Sequence, residues 1–308
     1  MKRHDAAMLL LLIAIAIPGC RREEPATPMT PARVNPETHE DEVLRWRNGR
    51  IERLTSDTGW LTLVGLFWLE EGENRFGAAE SSAIVLPKAP ATAGSLWLEG
   101  ETVRLQANPD AGITSGGKPV TSMQLASDAD GEPTVLDLGT LTFHVIQRAG
   151  RFALRVKDRE HPARTSFPGI ESYPIDAKYR VTARLEPYVP QKEIPIATVI
   201  NTTEKMESPG ALVFEIDGAT HRLDPVLELG ESDWFLIFAD KTNGQQTYGA
   251  GRYVYAPPPG ADGTTVIDFN KSYNPPCAFT PYATCPLPPP QNRLSIPIPA
   301  GEKKFGEH

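Results

Sequence analysis

Five polar residues in the last third of the chain are the best candidates for binding or chemistry. Asp268 and Asn270 are two residues apart, so on a strand their side chains share one face of the sheet. Tyr248 and Arg252 are four apart and would share a face in the same way. Arg252 or Arg293 could hold a carboxylate or phosphate through two parallel hydrogen bonds, and Asp268 could act as a general base. We therefore predict that these residues bind a small polar or anionic ligand.

A structural role for the same residues stays open. Asp and Asn side chains often satisfy the backbone of turns, and Arg252 could form an internal salt bridge with Asp268 that fixes the following proline-rich loop. Whether they bind a ligand or each other, we expect Arg252 and Asp268 to lie on strands that pair within one sheet. A cavity lined by both residues would favour ligand binding.

Two cysteines near the carboxyl terminus, Cys277 and Cys285, are eight residues apart. In an exported protein such a pair most often forms a disulfide, and this is our prediction. A free Cys277 could instead act as the nucleophile of an enzyme if a base lies beside it. The nearest histidines in sequence, His221 and His308, are distant, so we predict no metal site. The chain has no cofactor-binding motif, and we expect no cofactor.

Export is indicated by the amino terminus. Lys2 and Arg3 are followed by an uncharged apolar run over residues 6–17 and then by Cys20. The run is shorter than the roughly 18–20 residues that span a bilayer and has the length of a signal-peptide core. We predict that residues 1–19 are removed as a lipoprotein signal peptide and that Cys20 carries the lipid anchor. A plain secretory signal and an uncleaved anchor are the alternatives.

The segment after this cysteine is expected to connect the anchor to the folded protein. Residues 20–36 are rich in Pro, Thr, Glu and Arg, so we predict a flexible tether without a core. Because Arg21 rather than Asp follows Cys20, we expect the periplasmic side of the outer membrane, where the cell has one. The net charge of −8 gives no reason to expect nucleic acid as a partner.

One helix and many short strands are predicted to position these residues. The helix covers residues 37–54, with a proline in its first turn. After Gly59, short apolar stretches alternate with Gly, Pro, Asp and Asn turns, which is typical of antiparallel β-sheet proteins. Because about 250 residues are long for one sandwich, we predict two β domains. The helix and a first β-sandwich occupy 37–158, and a second antiparallel β domain with a proline-rich loop occupies 159–308.

The predicted boundary between the two domains carries a second polar group. Arg155, Asp158 and Arg159 end the last strand of the first domain, and clefts often form between domains. A charged strand end is the more common explanation. His144 alternates with apolar residues on the preceding strand and is predicted to face solvent or to be hydrogen-bonded.

The first domain resembles a forkhead-associated β-sandwich. The stretches NRFG (74–77) and SAIVL (82–86) are similar to the first strands of that fold, and LGTLTF (138–143) is similar to its closing strand. Forkhead-associated domains bind phosphothreonine through an arginine after the first glycine and a Ser-x-x-His element. Here Ala78 follows that glycine, and GSLW (94–97) has no histidine. The resemblance therefore implies the sandwich without phosphopeptide binding.

The last third of the chain contains four long motifs, namely FADKTNG (238–244), TYGAGRY (247–253), IDFNKSYNPPC (267–277) and CPLPPPQNRL (285–294). They closely resemble a bacterial and archaeal family known as domain of unknown function 1684, and the resemblance extends from Trp60 to Lys303. The family implies no activity. We predict a membrane-anchored lipoprotein that binds a small polar ligand through its second domain. The alternatives are a hydrolase that uses Asp268 or a free Cys277, and a structural component of the envelope.

Overall fold

The computed structural model of the chain describes residues 36–306, with side chains from residue 38 onward. The predicted signal peptide, the lipidated Cys20 and most of the predicted tether lie outside the described residues. Within that range, no helix is long and apolar enough to cross a membrane.

Helix α1 (Pro36–Thr55) confirms the helix that the sequence predicts. Two pairs of buried charged or polar side chains connect it to the carboxy-terminal part of the chain. His39 Nε2 lies 2.9 Å from Asp268 Oδ2, and Arg50 Nε lies 3.2 Å from Glu302 Oε1. These contacts fix the helix against the loops that follow the last strand.

Residues 63–158 form two sheets that pack face to face. In chain order the strands are β1 (Leu63–Trp68), β2 (Gly72–Gly77), β3 (Ile84–Val85), β4 (Gly94–Glu99), β5 (Thr102–Ala107), β6 (Thr114–Ser115), β7 (Lys118–Pro119), β8 (Ser122–Leu125), β9 (Leu136–Leu138), β10 (Leu141–Arg148) and β11 (Arg151–Asp158). One sheet has the order β1-β11-β10-β9-β6-β7 and the other β3-β2-β4-β5-β8. A single helical turn, α2 (Pro162–Thr165), follows the last of these strands.

The core of this sandwich lies between the two sheets. Val145 on β10 and Leu154 and Val156 on β11 point into it, and the ring of Phe143 meets that of Phe76 edge-on with 5.8 Å between centroids. Successive side chains on a strand point to opposite faces of its sheet. The intervening residues of β10 and β11 therefore face away from the sandwich core.

The second half contains a long hairpin and a separate strand pair. Its strands are β12 (Arg180–Ala197), β13 (Thr203–Ile216), β14 (Ala219–Leu223), β15 (Trp234–Phe238), β16 (Arg252–Ala256) and β17 (Thr264–Asp268). They form a four-stranded sheet, β14-β13-β12-β17, and a two-stranded sheet, β15-β16. On β12, Val181 and Ala183 are buried and alternate with more exposed polar residues, as their sequence pattern indicates.

Two hydrophobic cores hold this half together. One is built around the rings of Phe214, Phe238 and Phe269. The other includes Phe235 and Tyr253, and it extends to the loops after β17. Because these loops contribute to both cores, the proline-rich carboxy-terminal segment is an integral part of the fold.

The mainly β architecture with an amino-terminal helix and several antiparallel sheets is confirmed. The sequence pattern also predicts strands over 246–255 and 294–298. The first of these begins only at Arg252, after a loop over 246–251, and 294–298 contains no strand. The strands of 63–158 pair with one another, and so do those of 180–268. Both sets belong to one compact unit that begins at Pro36.

Candidate functional site

Arg252, one of the five predicted ligand-binding residues, donates hydrogen bonds to acceptors of the protein itself. It is fully buried, and its Nη2 lies 2.5 Å from Asp240 Oδ2. The same nitrogen donates to the carbonyl oxygen of Ile298 at 2.8 Å, and Nη1 donates to the carbonyl of Ala300. Both Nη groups are thus bound within the protein. Nε alone has no partner among the described residues, and the side chain is fully buried, so the predicted bidentate clamp on a ligand is not formed.

Asp268 and Asn270 are likewise used by the fold. Oδ1 of Asp268 accepts hydrogen bonds from the backbone nitrogen of Asn270 at 3.1 Å and from its Nδ2 at 2.9 Å. The second oxygen, Oδ2, is the one that contacts His39. Asn270 is fully buried and bonds to the backbone of Asp176 through both its Oδ1 and its Nδ2. Asp268 therefore caps a turn, and its carboxylate is not free for general-base chemistry.

The five predicted residues do not converge on one site. Arg252 lies on β16, which pairs with β15, whereas Asp268 lies on β17, which pairs with β12. The expected common sheet and the Arg252–Asp268 salt bridge are therefore both wrong. Tyr248 donates its hydroxyl to the carbonyl of Cys277 at 3.1 Å, and Arg293 is exposed, with Nη2 3.3 Å from the carbonyl oxygen of Pro288.

A glycine explains why β16 begins only at Arg252. Gly251 has φ +117°, and a Cβ atom at this position would lie 2.4 Å from Cγ of Pro288. Only glycine tolerates both the conformation and the close approach. The chain therefore turns at this point, and Tyr248 lies in a loop rather than on a strand face shared with Arg252.

A cavity of about 640 Å³ lies elsewhere, where α1 and the outward face of the β10–β11 hairpin meet the second half. Its apolar wall is formed by six aromatic side chains: Trp46, Trp60, Phe235, Tyr253, Tyr255 and Tyr273. Phe235 stacks on Tyr255 with 4.9 Å between ring centroids and meets Tyr253 edge-on at 4.8 Å. Because aromatic walls exclude water, charges inside such a cavity interact more strongly than they do in solvent.

Arg155 is the charged residue that distinguishes this cavity. It lies on β11 between two core residues, so its side chain points outward into the cavity lining, yet it is only 7% exposed. No Asp or Glu among residues 38–306 forms a salt bridge with it. Its Nε has no hydrogen-bond partner in the described chain, and its one side-chain hydrogen bond is from Nη2 to Thr284 Oγ1 at 3.4 Å. Its guanidinium also lies over the ring of Trp60, 5.3 Å from the centroid. Burial, with the nearby Arg148, lowers the pKa of Arg155 to about 10.

The cations next to Arg155 have partners of their own. Arg148 forms a two-pronged salt bridge with Asp128, at 2.8 and 3.0 Å, and Nζ of Lys157 donates to the carbonyl oxygen of Thr58 at 2.6 Å. Arg155 therefore remains as the buried cation whose charge is not compensated within the described chain.

His144 pairs in register with Arg155 on the neighbouring strand. Burial first, and then the positive charges of Arg155 and Lys157, lower its pKa to about 4. The imidazole is therefore neutral at physiological pH. Its half-buried position corrects the expectation of a solvent-facing histidine, since the second half of the chain covers this face.

Two carboxylates, Glu204 and Glu228, also line the cavity. Glu228 Oε2 accepts a hydrogen bond from the hydroxyl of Tyr255 at 2.5 Å. Burial raises the pKa of Glu228, and the nearby negative charge of Glu231 adds to the effect. The cavity thus contains both a buried cation and half-buried acids.

Cys277 and Cys285 are free thiols in the structure, so the predicted disulfide is not formed. The backbone nitrogen of Cys277 donates to Cys285 Sγ at 3.1 Å. A hydrogen bond from Cys285 lowers the pKa of the Cys277 thiol, while the same contact and burial raise the pKa of Cys285. The two cysteines are neighbours, as their spacing suggests; both contact the core that includes Phe235 and Tyr253, and Cys285 lines the cavity.

The cavity residues were largely missed by sequence reasoning. Arg155 was noted as a possible cleft residue, because it lies near the boundary between the two β regions. The aromatic wall gave no separate signal, since its members are spread from Trp46 to Tyr273 and alternate with apolar residues that form the cores. Only the fold brings them together.

Comparison with known proteins gives a family but no activity. The family model described as "Protein of unknown function (DUF1684)" matches residues 165–303, a narrower range than the resemblance from Trp60 onward. An uncharacterized protein of Haloarcula marismortui, solved by NMR, is 32% identical, with 47% of this chain and 81% of that protein covered and a TM-score of 0.40. No curated protein matches the chain.

Forkhead-associated domains are also among the similar solved structures. One, from a study of phosphothreonine-dependent interactions of these domains, is 24% identical over 31% of this chain and 96% of its own, with a TM-score of 0.21. Another, the FhaA domain in complex with the intracellular domain of Rv3910, is 23% identical over 30% of this chain and 97% of its own, with a TM-score of 0.21. Through residues 165–303, the chain belongs to the family of proteins of unknown function DUF1684.

Proposed function

We propose that this protein is a lipid-anchored extracytoplasmic binding protein, and that its cavity holds a small anionic ligand with an apolar or aromatic body. The observation that carries the proposal is Arg155, a buried guanidinium that lines the cavity without an acidic partner among the described residues.

The charge of Arg155 supports an anionic ligand. Burying a cation without a counter-ion is costly, and an anion that enters the cavity would supply both the missing charge and an acceptor for the guanidinium. The chain as a whole has a net charge of −8. A local positive site on such a protein is therefore not a by-product of a generally basic surface.

The size and walls of the cavity support a small molecule. A volume of about 640 Å³ lies within the range of roughly 300–1,000 Å³ that is usual for ligand pockets. The six aromatic rings of its wall can bury the apolar part of a ligand, while Arg155 fixes the anionic end. A purely structural envelope component would not need such a cavity. The bonded carboxylate of Asp268 does not favour a hydrolase that uses it. Cys277 is a free thiol, but no histidine or carboxylate of the described residues hydrogen-bonds to it as a base, so the hydrolase that uses Cys277 is the weaker alternative.

The proposal is tested with a fluorescent aromatic anion, 8-anilinonaphthalene-1-sulfonate. Loss of a charged hydrogen-bond partner in Arg155→Met should raise its dissociation constant about 10- to 100-fold. Binding of the uncharged N-phenyl-1-naphthylamine, which lacks the sulfonate, should change little. Fluorescence titration of purified protein measures both constants.

The matched control for this test is Arg151→Met, because Arg151 is an exposed arginine on the same strand that packs over Trp68 outside the cavity lining. It should leave both constants unchanged. If Arg155→Met binds the sulfonate as tightly as the wild type, or if Arg151→Met weakens it equally, the cavity is not an anion site.

The anchor is tested separately. Cys20 directly follows Gly19, two residues after the apolar run of residues 6–17, and we expect the mature amino terminus to be a diacylglyceryl cysteine. The Cys20→Ser variant should accumulate as an unprocessed precursor, and the mature form should be absent from the membrane fraction. Mass spectrometry of the amino-terminal peptide measures this, and an unlipidated mature terminus at another residue would refute it.

A further inference from the structure

We infer that the ligand of this cavity also carries a positive charge, and is thus a zwitterion of the α-amino acid kind with a large apolar body. The inference rests on the proposed function, which supplies the anionic end at Arg155. It adds a second subsite, formed by Glu204, Glu228 and the aromatic rings beside them.

The two acids lack a cationic partner among the residues whose side chains the structure describes. No Lys or Arg of residues 38–306 forms a salt bridge with Glu204 or Glu228. Glu228 Oε2 accepts the hydroxyl of Tyr255, which leaves its Oε1 available to a donor in the cavity. Burial raises the pKa of Glu228, as expected for a carboxylate that lacks a counter-ion.

Three further arginines line the cavity, of which Arg53 is exposed and forms no salt bridge among the described residues, while the other two are bound elsewhere. Arg50 pairs with Glu302 at 3.2 Å, and Arg148 pairs with Asp128 at 2.8 Å. Among the described lining residues, the protein therefore supplies a buried cation, Arg155, and two acids that do not pair with it or with any other Lys or Arg. A ligand with one positive and one negative group would satisfy both, whereas a simple anion would leave the acids unpaired and would be repelled by them.

The aromatic wall fits the positive end as well as the apolar body. Tyr255 and Tyr273 face each other with nearly parallel rings, 6.4 Å between centroids, next to Glu228. Ring faces attract ammonium groups. Arg50 already covers one face of Tyr273 at 4.6 Å, so a ligand ammonium would meet the part of this wall that Arg50 leaves free, beside Glu228. Ring faces combined with carboxylates favour an ammonium over a neutral group, and this preference distinguishes an amino acid from its deaminated analogue.

Displacement of bound 8-anilinonaphthalene-1-sulfonate by three matched indoles tests the inference. L-Tryptophan carries both charges, indole-3-propionate only the negative one, and tryptamine only the positive one. In the wild type, L-tryptophan should displace the probe at about tenfold lower concentration than either analogue, since one charged contact contributes about a factor of ten.

Variants assign this preference to the acids. In Glu228→Gln, L-tryptophan should lose most of its advantage over indole-3-propionate, and in the double variant Glu204→Gln/Glu228→Gln it should lose still more. Indole-3-propionate itself should bind both variants as tightly as the wild type or more tightly. The control is Glu207→Gln, an exposed acid on the same strand as Glu204 that does not line this cavity. Thermal melts of each variant confirm that it is folded.

The outcomes separate this inference from the proposed function. If L-tryptophan and indole-3-propionate displace the probe equally, or if no indole displaces it, the zwitterion is refuted while an Arg155-dependent affinity for the sulfonate keeps the anion site. If tryptamine matches L-tryptophan and Arg155→Met changes nothing, the cavity binds cations and both proposals fail. An advantage of L-tryptophan that depends on Glu228 and Arg155 together supports both.

Discussion

Replacing Arg252 by methionine is expected to lower the free energy of unfolding by about 3–5 kcal/mol, because it leaves the buried carboxylate of Asp240 without its counter-ion. Both side chains are completely buried. Oδ1 of Asp240 keeps the bonds from Thr242 and from the backbone nitrogen of Ile298, but Oδ2 loses its arginine partner. Asp240→Asn should have an effect of similar size, since it leaves the guanidinium unpaired.

A double-mutant cycle with urea unfolding measures this interaction. In Arg252→Met/Asp240→Asn neither charge remains, and we expect the double variant to be more stable than the sum of the two single losses implies. The control is Lys205→Met, which removes a salt bridge to Glu193 whose side chains are 71% and 61% exposed. Such a pair contributes roughly 0–1 kcal/mol. Additive losses in the cycle, or a loss in Arg252→Met no larger than in the control, would contradict the structural role.

The difference between the predicted site and the observed one has a physical origin. Side-chain type and spacing correctly marked Arg252, Asp268 and Asn270 as residues with specific partners. The sequence could not show whether those partners belong to a ligand or to the protein. Asp240, His39 and Asp176 lie 12, 229 and 94 positions away from the residues that they contact. Contacts at such separations depend on the completed fold.

The fold was more predictable than the site because its signals are local. Turn residues and alternating apolar positions predict strands over 94–99, 102–107 and 141–148, and β4, β5 and β10 have these bounds. The strand prediction for the segment before Arg252 is wrong, because the contact of Gly251 with Pro288 sets where β16 begins. The cavity could not be predicted, because its wall combines α1, the β10–β11 hairpin and the second half of the chain.

The protein is expected to lose stability as the pH falls below about 6.5, through the titration of His144. Its pKa is about 4 in the folded chain, against an ordinary value of 6.5. Above pH 6.5 the imidazole is neutral in both the folded and unfolded states and has no effect on stability. Between pH 6.5 and 4 the unfolded chain takes up the proton more readily, so unfolding is favoured. The full difference amounts to about 3 kcal/mol.

Comparison with His144→Asn isolates this contribution. Urea unfolding of both proteins between pH 7 and pH 4.5 should show that the free energy of unfolding falls more steeply with falling pH in the wild type, because asparagine does not titrate. In Lys157→Met one of the neighbouring positive charges is absent, so the pKa of His144 should rise. The free energy of unfolding should then depend less on pH than it does in the wild type. Most of this dependence should remain, since burial is the larger cause of the shift. If the free energy of unfolding changes with pH in parallel for the wild type and His144→Asn, His144 is not buried in its neutral form beside Arg155. That result would also weaken the case for a desolvated cation in the cavity.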